Sequence, residues 1–177
     1  MLSSEYKGSL PKDFVAKGWL GNPGATEAQL QFLEERLKTT LPPSYRAFLA
    51  FSNGWEGIDP PFIDRLWSTD QIEWFVKRHE DWIEDWIDDG SLSEEQYRTE
   101  RIRKTSRTKY AHLKAALEIS MLGDGAIMLL DPQIINEFGE WEALDFSNGT
   151  PGVWRFPSFW AMMVSRYKIV QWLANEK

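Results

Sequence analysis

The segment LPPSYRAFLAFSNGW, from Leu41 to Trp55, carries the most specific pattern in this chain of 177 residues. A proline is tolerated in the first turn of a helix, because an N–H at that position would have no partner inside the helix. Glycine readily adopts the left-handed conformation that often ends a helix. The segment therefore predicts a helix that begins at Pro43 and ends at Asn53 and Gly54. Its apolar residues are Tyr45, Phe48, Leu49 and Phe51.

A second helix is predicted immediately upstream of this segment. Thr26 and Gln29 have the spacing of a capping box, in which each side chain bonds to the backbone N–H of the other residue. Leucines follow at helical spacing, at positions 30, 33 and 37, which predicts one buried stripe. Residues 1–25 are polar with scattered Gly and Pro, so we expect an extended N-terminal arm there.

Downstream, the pattern predicts a strand and then two charged helices. FIDRLW, Phe62–Trp67, is typical of a short strand, and Ser68 or Thr69 can cap a helix that runs from Asp70 to Gly90. A second capping box, Ser93 and Gln96, predicts a helix over Glu94–Arg107.

The last third of the chain has the alternation of strands. The predicted strands are ALEISML (116–122), AIMLLD (126–131), GEWEALDF (139–146) and GVWRF (152–156). The turn Gly123-Asp124-Gly125 fits a hairpin between the first two strands. Pro157 and Ser158 then open a C-terminal helix. The apolar residues of that helix are Phe159, Trp160, Met163, Tyr167, Val170 and Trp172. Helices before and after a meander of strands predict an α+β domain.

Taken in order, four of these landmarks resemble the SUKH superfamily, which is also described as Smi/Knr-like. The landmarks are LPPSYRAFLAFSNGW, FIDRLWSTDQI, the hairpin LEISMLGDGAIMLLD and the aromatic helix FPSFWAMMV. The superfamily contains a yeast regulator of cell-wall synthesis and many bacterial immunity proteins. The resemblance covers about Thr26–Trp74 and Ala115–Val164. It leaves roughly Phe75–Tyr110 unaccounted for.

The resemblance implies a fold and a type of function. The fold is a single twisted antiparallel sheet packed against helices, with an inserted, charged helical pair near residues 70–110. We expect one domain over residues 1–177, with an arm at 1–25 and the helical insert at 75–110. The function implied is protein binding rather than catalysis. The family's members share no catalytic residues, so none is carried over, and no cofactor is expected.

Composition limits the function further. The net charge is −7, which argues against direct nucleic-acid binding, because phosphate recognition needs a basic patch. The chain has no cysteine, which excludes disulfides, Cys-bound zinc and a thiol nucleophile. Neither a signal peptide nor a membrane span is visible in the sequence. We therefore expect a cytoplasmic protein without membrane or nucleic-acid partners, either a monomer or a weak homodimer.

The acidic stretch HEDWIEDWIDDG, residues 79–90, raises the possibility of a metal or catalytic site. A zinc-protease motif would need a histidine four residues after His79, and Ile83 stands there. Paired carboxylates such as Glu56 with Asp59 or Asp64 could act as acid and base on a sugar, with Trp55 and Trp67 as stacking faces. Such pairs arise easily by chance among 27 acidic residues, so this remains the weaker alternative.

The same stretch is also an amphipathic helical pattern. Trp82, Ile83, Trp86 and Ile87 share one face, and the carboxylates occupy the rest. Residues 98–109 hold six basic residues and one acid. The two segments can therefore pair as an acidic and a basic helix. Alternatively, the acidic side captures a basic protein partner. Both interpretations remain open, and they are compatible.

The leading functional hypothesis is an immunity protein that binds and neutralises a cognate bacterial toxin with a basic surface. The alternatives are a scaffold or regulator of the cell-wall type and, more weakly, a carbohydrate-binding or glycosidase-like domain. The candidate partner-binding residues are Trp55, Glu56, Asp59, Asp64, Trp67, Glu80, Asp81, Glu84, Asp85 and Asp88. No catalytic, cofactor-binding or metal-binding residue is predicted.

Overall fold

The computed structural model describes residues 21–56, 65–80, 93–99, 109–121, 126–147 and 153–175. The helices in these ranges are α1 (Glu27–Leu37), α2 (Pro43–Phe51), α3 (Phe75–Arg78), α4 (Glu94–Thr99), α5 (Tyr110–Ala115) and α6 (Phe159–Asn175). The strands are β1 (Trp55–Glu56), β2 (Arg65–Leu66), β3 (Glu73–Trp74), β4 (Leu117–Glu118), β5 (Ala126–Ile135), β6 (Trp141–Ser147) and β7 (Val153–Phe156).

Five of the strands form one antiparallel sheet in the order β3-β4-β5-β6-β7. Each of these strands pairs with the next strand along the chain, and the longest pairing joins β5 to β6. β1 and β2 form a two-stranded sheet of their own, which a bridge between Leu66 and Ser120 connects to the region just after β4. The predicted α+β class, with an antiparallel sheet packed against helices, is confirmed.

One face of the five-stranded sheet is covered by α1, α2 and α6. The leucine stripe of α1 is buried as predicted, and it packs in one cluster with Leu130 of β5 and Phe159 of α6. An isolated helix of eleven residues is only marginally stable in water. Burial of each leucine contributes roughly 1.5–3 kcal/mol, so this packing is what stabilises α1.

The opposite face carries a second layer of helices. Phe75 of α3 and Leu113 of α5 pack there on Leu129 and Leu144 of the sheet. Adjacent residues of a strand point to opposite faces, and accordingly Ala143 belongs to the first cluster while Leu144 belongs to the second. α3 and α4 lie in the region near 70–110 where the charged helical pair was predicted. The sheet is therefore the middle of three layers.

The helix starts are the best-predicted local features. Thr26 and Gln29 form the full capping box, with the Gln29 N–H donating to Thr26 Oγ1 at 3.3 Å and the Thr26 N–H to Gln29 Oε1 at 2.9 Å. Ser93 and Gln96 do the same at the start of α4, with the Gln96 N–H donating to Ser93 Oγ at 3.1 Å and the Ser93 N–H to Gln96 Oε1 at 2.8 Å. Pro43 occupies the first turn of α2. In each case, side-chain chemistry alone was enough to locate the start.

The end of α2 differs from the prediction. The helix stops at Phe51, and Ser52 closes it in an extended conformation rather than a left-handed one. Gly54 does have a positive φ of 85°, but a further reason favours glycine there. A Cβ at this position would lie 2.7 Å from the backbone oxygen of Leu66. Phe51, one of the apolar residues of this helix, is 70% exposed, because six residues after Tyr45 the helix has turned about 120° away from the buried face.

The helix predicted from Asp70 is wrong at its start. Glu73 and Trp74 form the edge strand β3 instead, opposite Glu118 and Leu117. The Ser68 hydroxyl does bond to Gln71, as a cap would, but it closes a turn. Strand pairing overrides the helical pattern here, and α3 begins only at Phe75. The remainder of that predicted helix, residues 81–90, lies outside the described residues.

The strands also differ in length from the predictions. β4 contains only two of the seven predicted residues, whereas β5 continues past Asp131 to Ile135. The pairing with β6 shifts between Asp131 and Ile135, where Pro132 lacks the N–H that a ladder needs, so a bulge forms. The predicted Gly123–Gly125 turn and residues 62–64 of the predicted strand Phe62–Trp67 lie outside the described residues. Helix α5 was not predicted.

Candidate functional site

Both tryptophans predicted as partner anchors are half-buried. The ring of Trp55 packs edge-on against Phe48, with the centroids 5.3 Å apart. Trp67 donates its indole N–H to Glu118 Oε1 at 3.0 Å, and the guanidinium carbon of Arg78 lies 5.0 Å from its ring centroid. The structure therefore uses both indoles for packing within the domain. Their role as partner anchors remains a prediction.

The predicted acidic surface is described only in part. Glu80 is exposed directly after His79, and Glu56 belongs to β1. The other predicted acidic contacts lie outside the described residues: Asp59, Asp64, Asp81, Glu84, Asp85 and Asp88. Among the basic residues of 98–109, Arg98 donates to the backbone oxygen of Gln133 at 3.3 Å. The pairing of the acidic and basic segments therefore remains a prediction as well.

The sheet itself holds charged residues that the sequence analysis did not select. Glu118 of β4 is buried, and three side chains converge on its carboxylate. They are the Trp67 indole, the Arg78 guanidinium at 3.2 Å and His79 Nε2 at 2.9 Å. The ring of His79 also stacks on Phe75, with the centroids 4.7 Å apart. This cluster attaches the end of α3 to the face of the sheet opposite α1, α2 and α6.

A second cluster is centred on His112 of α5, whose side chain is fully buried. Its Nδ1 lies 2.5 Å from Asp131 Oδ2 of β5, and its Nε2 lies 2.9 Å from Glu94 Oε1 of α4. Burial acts to lower the pKa of His112, but the hydrogen bonds and charges of Asp131 and then Glu94 outweigh it, so this pKa lies above its usual 6.5. The same contact with His112 lowers the pKa of Glu94.

Arg155 of β7 forms the neighbouring buried cluster. Its Nε donates to Glu142 Oε2 at 3.0 Å, and its second terminal nitrogen lies 2.9 Å from Glu142 Oε1. Its other terminal nitrogen donates to the backbone oxygen of Tyr97 at 2.6 Å. Burial raises the pKa of the Glu142 carboxyl, and the paired Arg155 opposes that shift. The arginine therefore joins β6, β7 and α4 across the second face.

These clusters connect the helices and strands of the fold to one another. The carboxylates of Glu118, Asp131 and Glu142 are buried, and each is engaged by a cation or imidazole of the domain. In the described part of the chain, no three His, Asp or Glu side chains are grouped so that they could hold a metal ion. None of the helices in the described ranges combines the length and apolar character that crossing a bilayer requires.

The sequence carries a signal for the residues of these clusters in the alternation of the strands. Glu142, Leu144 and Phe146 occupy alternate positions of β6, so all three face the same side. A carboxylate on an otherwise apolar strand face must be paired or pay a large desolvation cost. Arg155 stands in the same relation to Val153 on β7. The alternation thus shows that each charged residue is buried, although it cannot identify the partner.

Among the described residues, α6 exposes several large apolar side chains. Phe159 and Met162 are buried against the sheet, and Arg166 donates to Asp145 Oδ2 of β6 at 2.7 Å. On the outer side, Trp160 is 67% exposed and Tyr167 is 62% exposed. These two residues are two turns apart, so they share one outward stripe.

Two more large residues of α6, Ile169 and Trp172, are also exposed, but the helical spacing places them on other sides of the helix than Trp160 and Tyr167. The helix contains no Asp or Glu in its seventeen residues, although 27 of the 177 residues in the chain are acidic. An aromatic helix face of this kind differs from the scattered single apolar residues found on most protein surfaces. In the sequence, Trp160, Tyr167 and Trp172 are three of the apolar residues of this helix, and the pattern alone does not distinguish its inner face from its outer face.

The fold defines an α+β domain whose buried charges are paired within the domain and whose last helix exposes aromatic side chains. Comparison with protein families gives a match to the SMI1 / KNR4 family (SUKH-1) over residues 24–168. The chain belongs to this family, which confirms the resemblance seen in the sequence. The match spans most of the chain, including the region 75–110 that the sequence resemblance left unaccounted for. A comparison with curated proteins finds no significant match.

Proposed function

We propose that this chain is a cytoplasmic, non-enzymatic protein-binding domain, and specifically an immunity protein that neutralises a cognate bacterial toxin. Membership of the SUKH-1 family supports a binding role of this kind. The observation that carries the proposal is the exposed aromatic stripe of α6, because Trp and Tyr are the residue types that dominate binding energy at protein interfaces. Trp160 and Tyr167 are largely exposed to solvent, so they are accessible to a partner.

The toxin partner is proposed to present a basic surface. Toxins that act on nucleic acid must attract phosphate and are therefore basic. A chain of net charge −7 would attract such a partner over long range and so accelerate association. The acidic residues Glu80, Asp81, Glu84 and Asp85 are proposed to supply this attraction, while the aromatic residues of α6 supply short-range binding energy.

A growth-rescue experiment tests the proposal. The toxin domain encoded beside this gene is expressed in a host cell with and without the chain. Rescue of growth supports an immunity function, and failure of a well-expressed, folded chain to rescue contradicts it. The remaining interpretation would then be a protein-binding domain that has no toxin partner, such as a regulator of cell-wall synthesis.

Two sets of variants separate the proposed surfaces. Replacing the four acidic residues by Lys should slow association and reduce the salt dependence of binding. Replacing Trp160 and Tyr167 by Ala should accelerate dissociation, with an affinity loss of at least about tenfold. Phe51→Ala is the matched control, since this side chain is equally exposed but lies on α2. A surface whose variant binds like the wild type is removed from the proposal.

A further inference from the structure

His112 is held in an arrangement in which each of its ring nitrogens can donate a hydrogen bond to a carboxylate. Each nitrogen lies within hydrogen-bond distance of a carboxylate oxygen, Asp131 on one side and Glu94 on the other. An ionised carboxylate can only accept hydrogen bonds. A neutral imidazole has one N–H, so it can satisfy only one of the two contacts. The geometry therefore fits the imidazolium form.

The charges around His112 support the same state. The carboxylates that face this region come from three elements: Glu94 of α4, Asp131 of β5 and Glu142 of β6. The nearby cations are Arg155 of β7, paired with Glu142, and Lys109, whose Nζ lies 3.7 Å from Glu94. A charged His112 would place a positive charge directly between Glu94 and Asp131, within hydrogen-bond distance of both carboxylates. Arg98, which is exposed, also acts on Glu94.

The two carboxylates that hold His112 differ in their access to water. The Asp131 side chain is fully buried, and its other oxygen accepts the backbone N–H of Gln133 at 2.9 Å. The Glu94 side chain is 50% exposed. If the imidazole loses a proton, one nitrogen turns a lone pair toward a carboxylate. Glu94 can exchange that contact for water, whereas Asp131 cannot.

α4 depends on this contact for part of its attachment. It has only six residues, too few for independent stability. It is held by Glu94 on His112, by the buried ring of Tyr97, whose centroid lies 4.2 Å from the His112 ring centroid, and by Arg155 on the Tyr97 backbone. Loss of the His112–Glu94 contact weakens the attachment at the first turn, where Lys109 still lies 3.7 Å from Glu94. The contacts of Tyr97, Arg155 and Arg98 remain in place.

We infer that His112 is a proton-dependent latch between α4 and the sheet, and that its deprotonation releases α4 at Glu94 while the contact with Asp131 persists. The pKa of His112 is raised in the folded state. Its contribution to stability is therefore fully present below the unfolded value near 6.5 and is lost as the pH rises through the folded-state pKa.

Glu94 sets the lower limit of the pH range in which the latch is closed. Its pKa is lowered in the folded state, so its contribution is present above the usual carboxyl value and is lost as the pH falls through the folded-state pKa. The latch is thus closed between these two titrations, and it opens at either side. The opening on the alkaline side is the one that His112 controls.

The chain offers a clear test because it contains only two histidines and no cysteine. The ring nitrogens of both histidines are followed by NMR against pH in the full chain, together with hydrogen exchange of the α4 amides. We expect His112 to carry two N–H groups at pH 6 and to titrate above the value of a free histidine. Exchange at 94–99, corrected for its intrinsic pH dependence, should accelerate about tenfold as the imidazole deprotonates, because one charge-assisted bond is lost.

Variants locate the effect. His112→Gln keeps one hydrogen-bond donor but has no titratable charge, so α4 exchange should become independent of pH across the same range. His79→Gln is the matched control, and it should retain the wild-type pH dependence. If His112→Gln does not fold, Glu94→Gln serves instead, and it should lower the pKa of His112. A neutral His112 at pH 6, or α4 exchange that shows the same pH dependence in wild type and His112→Gln, would overturn the inference.

Discussion

The guanidinium carbon of Arg155 lies 3.8 Å from the ring centroid of Tyr97, and the same side chain donates to the Tyr97 backbone oxygen. Both residues are buried. The ring and the carbonyl cover one side of the cation, while Glu142 neutralises it within the sheet. Arg155 therefore attaches α4 to β7, and the buried carboxylate of Glu142 neutralises its charge.

Breaking this pair from one side should be costly. Arg155→Met leaves the Glu142 carboxylate buried without its partner, and we expect a loss of about 3–5 kcal/mol in the free energy of unfolding. The double variant Arg155→Met with Glu142→Leu should recover much of that loss, since no buried charge remains. Urea denaturation measures both. Arg46→Met is the control, because Arg46 pairs with Glu27 at the surface, and its midpoint should stay close to wild type. Equal losses in the single and double variants would contradict this account.

Tyr45→Phe should leave the protein as stable as the wild type or make it more stable. Tyr45 is fully buried in the first core, and its hydroxyl has no hydrogen-bond partner among the described residues. Burial raises the pKa of this phenol well above its usual value of 10.0. An unsatisfied buried hydroxyl costs about 1–3 kcal/mol, so its removal should raise the melting temperature. A melting temperature several degrees lower would mean that the hydroxyl has a partner after all. Tyr45→Leu, which also removes the ring packing against Phe159, should be clearly destabilising.

Two glycines with positive φ should respond differently to alanine. At Gly54, the new Cβ would meet the Leu66 backbone at 2.7 Å, whereas at Gly139 the nearest atom is Pro43 Cγ at 3.9 Å. Gly139→Ala should therefore lower the free energy of unfolding by only about 1–2 kcal/mol, the cost of placing a residue with a Cβ in the left-handed conformation. Gly54→Ala should lower the free energy of unfolding by more, because the backbone around residue 54 must also move to make room for the Cβ. Denaturation midpoints of the two variants provide the comparison, and equal losses would show that the close approach at Gly54 has no energetic consequence.

Thr26→Ala should destabilise the protein by about 1 kcal/mol, because it removes the side-chain acceptor that satisfies an N–H at the start of α1. Thr26→Ser keeps that acceptor and should recover most of the stability. Thermal unfolding distinguishes the two variants. Indistinguishable melting temperatures for Ala and Ser would show that the capping box is geometrically present but energetically neutral.

The local chemistry of the sequence was enough to place most helix starts and the strands β5 to β7. Thr26 with Gln29 and Ser93 with Gln96 are side chains that satisfy their own helix ends, so no distant partner is needed to predict them. The most specific part of the family resemblance, the Pro-Tyr-Phe-Leu spacing after Leu41, is local in the same way. These features depend on residues a few positions apart.

What the sequence could not predict depends on distant partners. Glu73 and Trp74 follow a helical pattern, yet they pair with β4 some forty residues later. Asp131 and His112 form a buried pair only because α5 packs on β5. The same limit applies to Trp160 and Tyr167, because the pattern marks them as apolar but cannot tell which side of α6 meets the sheet.

The most direct test of the proposed function is titration of the purified chain into the cognate toxin domain, with both binding and toxin activity recorded. The account predicts a saturable complex whose formation abolishes toxin activity in proportion to the amount bound. It also predicts weaker binding for the Trp160→Ala, Tyr167→Ala double variant, but not for Phe51→Ala. A toxin that remains fully active in the presence of excess folded chain would contradict the central claim.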